Sequence, residues 1–138
     1  MSGLLLIAGG AIITLLGLLH AVYTYADIAR PRYLVPSKPA LREAMMQGGL
    51  RLSRDATTMW KAWVGFNFSH SLGVAMFGAA CLFLGLDLHS LAPPRAVLLL
   101  PPALGLLYFC LALRYWFSET AICVGIATLC LVSAWLLY

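Results

Sequence analysis

The chain has 138 residues, 62% of them hydrophobic and 10% charged, against about 25% charged in a typical soluble domain. A water-soluble globule is excluded, because no soluble core absorbs that much apolar surface, and lipid is the expected solvent. The net charge of +4 is not a nucleic-acid signal, since most of it sits in one loop between apolar segments, where Lys and Arg favour anionic headgroups.

A spanning helix needs roughly 20 apolar residues, each rising about 1.5 Å across a hydrocarbon layer about 30 Å thick. Four segments reach that length, at about 4–26, 60–86, 95–117 and 119–138. The predicted fold is an all-α membrane protein: one transmembrane domain, 1–138, forming a bundle of four transmembrane helices with a kinked third helix. Little chain remains for a separate soluble domain.

The first helix is expected over Leu4–Ala26. Met1-Ser2-Gly3 offers no basic n-region, and the apolar run exceeds a signal-peptide core, so a retained helix is predicted. Gly10, Thr14, Gly17 and Ala21 form a ridge of small residues that lets a neighbour approach closely. His20, Tyr23, Thr24 and Asp27 mark its far end.

Residues 28–59 form a long basic loop. Pro31, Pro36 and Pro39 keep its first half extended or turned. Ser37 is a candidate cap for a short helix over Pro39–Gln47, with Leu41, Ala44 and Met45 on one side at the headgroup level. Gly48-Gly49 should end it. Asp55 is the candidate N-cap of the second spanning helix.

That helix runs to about Leu86, with Trp60 and Trp63 near Lys61 in the position of an aromatic belt. The next loop, Asp87 to Pro94, is short and holds His89. Pro93-Pro94 suit the start of the third helix, and Pro101-Pro102 predict a kink in its outer third. It ends in Arg114-Tyr115-Trp116-Phe117. Ser118 is expected to cap the fourth helix, with Glu119 in its first turn. Cys81, Cys110, Cys123 and Cys130 all fall in apolar segments without a CxxC, which favours small core hydrophobes over disulfides or metal ligands.

Basic residues set the expected orientation. Arg30, Arg32, Lys38, Arg42, Arg51, Arg54 and Lys61 cluster in the first loop region, and Arg114 lies near the third loop. Only Arg95 borders the second, so eight of the nine lie on one side. The positive-inside rule makes that side cytoplasmic and both termini external. The expected location is a bacterial inner (plasma) membrane.

Polar residues inside the spans are the site candidates. Trp63, Asn67, His70 and Ser71 share one helical stripe, while Gly65, Ser69 and Gly73 lie near the opposite side. The small-residue side is expected to pack against a helix, and the polar side to find partners or line a cavity. His20 and His70 each fall about two turns inside the cytoplasmic boundary, so antiparallel neighbours would bring them to one depth. On the fourth helix Glu119 is followed by Cys123, Ala127 and Cys130; on the third, Tyr108, Ala112 and Tyr115 share a face, with Arg114 at the same end.

Ionisable groups within a membrane cost several kcal/mol unless paired, which makes them functional candidates. The ligand-binding set is His20, Tyr23, Asp27, Trp63, Asn67, His70, Ser71, Tyr108 and Glu119. A purely structural reading stands beside it. His20 would bond Asn67 or a backbone carbonyl and lock the bundle, and Arg114 would form an ion pair with Glu119. Trp60, Trp63, Tyr115 and Trp116 would anchor at the interface.

The stretch from Gly17 to Leu72 contains GLLHAVYT, a Pro-punctuated basic segment and MWKAWVGFNFSHSLG. It resembles a group of small uncharacterised bacterial four-helix integral membrane proteins. The resemblance covers roughly the first half of the chain and implies no activity, substrate or cofactor. Small four-helix drug exporters differ, since they carry a glutamate within the first helix and here no acid precedes Asp27. The fluoride-channel pattern is also missing.

Three functions follow as expectations. The first is a pocket in the cytoplasmic half that binds or acts on a lipid-like, hydrophobic small molecule, with membrane lipid around it and imidazoles as proton carriers. The second is an accessory subunit or a homo-oligomeric transporter protomer, since four helices leave little room for a private pathway. The third is a haem b or metal protein using His20 and His70, with Asp27 or Glu119 as further metal ligands.

Overall fold

The computed structural model describes residues 1–52 and 56–138. Its elements are α1 (Ser2–Ala29), α2 (Pro39–Gln47), α3 (Met59–Leu86), α4 (Leu88–Leu91), α5 (Leu100–Tyr115) and α6 (Ser118–Leu136). A 3-10 turn, Val97–Leu99, leads into α5. Among the described residues the only β-type pairing is an isolated antiparallel bridge between Gly49 and Thr58. Four helical runs are long and apolar enough to cross a membrane: Ser2–Ala29, Met59–Leu86, Val97–Tyr115 and Ser118–Leu136. The chain is therefore a multi-pass, four-helix membrane protein.

Helix starts depart from the expected caps. Lys38, not Ser37, holds the N-cap position of α2, because Pro39 follows it as the first helical residue. Proline suits that place, since its missing N–H would have had no intrahelical partner. The expected role of Asp55 lies outside the described residues. Thr58 caps α3, its Oγ1 accepting the Lys61 N–H at 3.2 Å. Ser118 is the first residue of α6 rather than its cap, and Phe117 precedes it in extended conformation. Pro101 and Pro102 fall in the first turn of α5. The run Val97–Tyr115 changes there from 3-10 to α geometry, so the prolines act at the outset of the helix, where few N–H donors are lost. The short α4 has no counterpart in the sequence reading. It ends at Ala92 in left-handed conformation, φ 38°, directly before Pro93, which disfavours a right-handed helical residue there.

The chain divides into two compact units. The first comprises Met1–Leu16 and Val74–Tyr138. Its core is Leu6, Ile13, Cys81, Leu88, Leu98, Ala127, Leu131 and Ala134. Here α1 meets α3 backbone to backbone. A Cβ on Gly3 would stand 2.7 Å from the Gly85 carbonyl oxygen, and one on Gly10 would stand 2.7 Å from that of Gly78. A Cβ on Gly78 would strike the backbone nitrogen and hydroxyl of Thr14. The next ridge of α1 meets α6, where a Cβ on Gly9 would lie 3.0 Å from the Ala127 carbonyl. In turn α6 packs on α5, with Thr128 Oγ1 3.1 Å from a Cβ on Gly105.

The second unit is Gly17–Gly73. It holds the end of α1, the basic loop with α2, and the start of α3. The loop closes on itself: the Met59 N–H donates to the Gly48 carbonyl at 2.8 Å. The Arg42 guanidinium lies 4.9 Å from the centre of the Trp60 ring. The polar face of α3 finds partners, as expected, but the small-residue face is not packed against a helix among the described residues. Gly65 and Gly73 have nothing within 4 Å of a built Cβ, and Ser69 is exposed. The polar residues Asn67 and Ser71 are the buried ones. The small face is open because α1 pairs with the side that carries hydrogen-bonding groups.

Alanine at these glycines separates the two environments. Gly78→Ala should destabilise the protein by about 1–3 kcal/mol, the usual cost of overpacking. Gly65→Ala should be neutral or slightly stabilising, as alanine is the better helix former. Thermal unfolding in detergent reads both, and equal loss in the two variants would contradict the described contacts.

Candidate functional site

His20, Thr24 and Asp27 recur on α1 at steps of four and three residues, so they share one face. Thr24 and Asp27 are buried, while His20 is half-buried. The facing residues on α3 are Asn67, His70 and Ser71. His20 Nε2 lies 2.9 Å from Asn67 Oδ1. The Asn67 amide nitrogen donates to the Trp63 carbonyl at 2.7 Å. A carbonyl cannot donate, so this second bond fixes the orientation of the amide. Its oxygen therefore faces His20, and His20 Nε2 carries the hydrogen.

His70 completes the cluster through its ring contacts. Its ring meets His20 edge to face, with centroids 5.4 Å apart at 74°, and stacks on Phe66 at 5.9 Å. Backbone carbonyls absorb the nearby hydroxyls. Thr24 Oγ1 donates to the His20 carbonyl at 2.8 Å, and Ser71 Oγ donates to that of Asn67 at 2.6 Å. This is the paired His20–Asn67 arrangement that the structural reading of the sequence described.

Asp27 has a different task. Its Oδ1 accepts the N–H groups of Arg32 at 2.7 Å and Tyr33 at 2.8 Å, and its Oδ2 accepts that of Leu34 at 2.6 Å. The carboxylate thus ties the start of the basic loop back onto α1. Tyr23 assists by stacking on Tyr33, centroids 4.7 Å apart. Arg32 in turn lies 5.7 Å from the Tyr33 ring centre.

Beside this anchor lies a shallow apolar groove of about 350 Å³, lined by Leu34, Val35, Pro36, Leu41, Met45 and Trp63. That volume is at the low end for ligand clefts. A second depression of about 450 Å³ follows the other side of α2, along Pro39, Arg42, Glu43, Met46 and Gln47. Neither is lined by His20, Asn67 or His70. Of the candidate residues, Trp63 alone lines either of these two depressions. Its carbonyl also receives the Asn67 amide, so one residue joins the groove to the polar cluster.

Tyr108, Arg114 and Glu119 belong to the first unit. Tyr108 stacks on Phe77 at 5.9 Å. Arg114 and Glu119 are exposed, and no ion pair between them is present among the described residues. The Glu119 carboxylate accepts the Ser118 hydroxyl at 3.2 Å instead. Exposed pairs gain little free energy, which leaves each side chain to its local partners.

The donor geometry does not fit a haem or a metal ion. A haem would need a flat gap between two imidazoles with both nitrogens aimed at it. Here the rings touch edge to face, and His20 Nε2 faces Asn67. Asp27 is occupied by backbone donors, and no group of three His, Cys, Asp or Glu side chains is placed to hold a metal among the described residues. The four cysteines are free thiols.

The sequence reading missed Arg42 on Trp60 and the groove-forming run Leu34-Val35-Pro36. The signal available was that run itself, three apolar residues in an otherwise basic loop. Comparison of the chain with protein-family models, curated proteins and solved structures finds no match.

The Asp27 anchor makes a sharp prediction. Asp27→Ala leaves three part-buried N–H groups without their charged acceptor and should cost about 3 kcal/mol, within the range for charge-assisted bonds. Hydrogen exchange should rise at residues 32–34, while Asp27→Asn, with one acceptor oxygen, recovers part of the protection. Unchanged exchange in the alanine variant would refute the anchoring role.

Proposed function

We propose that this is a small multi-pass protein of a bacterial inner membrane that binds a lipid-like small molecule at its basic-loop end. The observation that carries the reading is the groove of Leu34, Val35, Pro36, Leu41, Met45 and Trp63. Apolar walls on a basic loop suit a molecule with an apolar body and a polar end. The placement of eight of nine Lys and Arg residues around one side supports a cytoplasmic loop. In this reading Trp63 contacts the ligand. His20, Asn67 and Ser71 are positioning residues that hold the α3 turn carrying Trp63, and the half-buried His70 supplies a polar contact.

A second reading, an accessory subunit or a protomer of a homo-oligomer, is favoured by one observation. The open row Gly65, Ser69 and Gly73 has the four-residue spacing of close helix–helix contacts.

Native mass measurement of protein released from mild detergent tests both. The first reading expects a 15.0 kDa monomer carrying one lipid-sized adduct. Trp63→Ala should reduce adduct occupancy about tenfold, matching the roughly 1.5–3 kcal/mol carried by a large buried side chain. Leu107→Ala, on an exposed position of α5, should leave occupancy unchanged. Equal occupancy in the wild type and Trp63→Ala would overturn the groove reading. A stable dimer lost on Ser69→Leu would favour the second.

A further inference from the structure

We infer that the groove takes a single acyl chain of a bilayer lipid and selects it by the chain, not by the headgroup. This rests on the groove reading above and names the part of the lipid that enters. All six described wall residues are apolar, Trp63 among them. Such walls are matched by methylene groups, whereas a phosphate or an ammonium pressed against them would lose water and gain no partner. Size limits the occupant further. A volume of about 350 Å³ is at the low end for clefts that enclose one drug-sized molecule. A two-chain lipid therefore leaves its headgroup and second chain outside.

Position supplies the route, and all of it lies within the second unit. Trp63 stands one turn into α3, a helix long and apolar enough to cross a membrane. Phe66 follows three residues later on the same side of that helix and is 61% exposed. The tryptophan wall thus continues into a surface that acyl chains already cover. A chain reaches the groove sideways from the leaflet without crossing water. The other walls belong to the loop and to α2, whose nine residues are too few to span and suit the headgroup level. Left empty there, the apolar walls would face water. A chain gains little by exchanging one apolar neighbour for another, so the driving force is the wall surface that it covers.

The test holds lipid-stripped protein in a sterol-based detergent, which brings no flexible chain of its own, and counts lipid adducts by native mass measurement. Dimyristoyl phosphatidylcholine and dimyristoyl phosphatidylglycerol should reach half occupancy of one adduct at similar concentrations. Their difference should stay below the roughly fivefold that one nearby cation gives an anionic headgroup. Dioctanoyl phosphatidylcholine should need about tenfold more, since fewer methylenes cover the walls. Leu41→Glu should raise the half-occupancy concentration of both dimyristoyl lipids about tenfold, because it replaces an apolar wall by a charge. Leu41→Met should recover most of that loss, which separates lost apolar contact from a lost fold. Two results would overturn the acyl-chain inference and leave the groove reading standing, provided that Leu41→Glu still lowers occupancy. One is a preference of roughly fivefold or more for either headgroup; the other is equal occupancy by the dioctanoyl and dimyristoyl lipids. Adducts unmoved by Leu41→Glu, or no adduct at all, would overturn the groove reading itself.

Discussion

A hydroxyl or amide that enters a bilayer loses water as a partner, and left alone it costs several kcal/mol. In this chain the replacement comes mostly from one turn away. Thr14, Thr24, Ser71 and Thr128 each donate to the carbonyl four residues before them, at 2.6–2.8 Å. The Asn67 amide does the same toward Trp63. Polar groups are thereby satisfied within their own helix, and the helix remains apolar enough to stay in lipid. Asn67 also links helices, because its amide has a second end. One end is satisfied locally and the other accepts from His20. The same constraint explains Asp27, a nearly fully buried carboxylate at 4% exposure, which is tolerated because three backbone donors surround it.

Lipid also removes the usual reason for apolar helices to associate, since acyl chains are as apolar as leucine. Close packing has to replace it, and small residues permit it. In the first unit Gly3 meets Gly85 and Gly10 meets Gly78. Seven residues separate the members of each pair on both helices, and antiparallel partners keep a constant sum of residue numbers. A seven-residue spacing of this kind is the mark of a left-handed helix pair. A hydroxyl that bonds its own backbone, as Thr14 does beside Gly78, counts as a small residue in such a seam.

Much of this was legible in the sequence. Hydropathy and length located all four spanning helices, since a bilayer sets a length that few other environments require. The approach of His20 to His70 was expected from matched depth, and Asn67 was one of two partners that the cost of an unpaired polar group suggested for His20, a backbone carbonyl being the other. The small-residue face of α3 was misread. Gly65, Ser69 and Gly73 read as a packing surface, but a row of small residues permits contact without requiring it, whereas buried Asn67 requires a partner. Nor was the task of Asp27 visible. Its partners are backbone groups of Arg32, Tyr33 and Leu34, which any sequence would supply, and only the path of the chain brings them back to α1. The groove was missed for a similar reason: it is built from a loop, a short helix and one tryptophan that periodicity treats separately.

The two polar anchors of α1 in the second unit differ in what they hold. His20 Nε2 donates to one side-chain oxygen, that of Asn67, and so joins α1 to α3. Asp27 acts only as an acceptor, and its two oxygens serve the three backbone donors of residues 32–34. Leu34 is also a wall of the groove, so the carboxylate that fixes the start of the loop fixes one side of the groove with it. The histidine sets the pairing of two helices, while the aspartate sets the path of the loop that leaves the first of them.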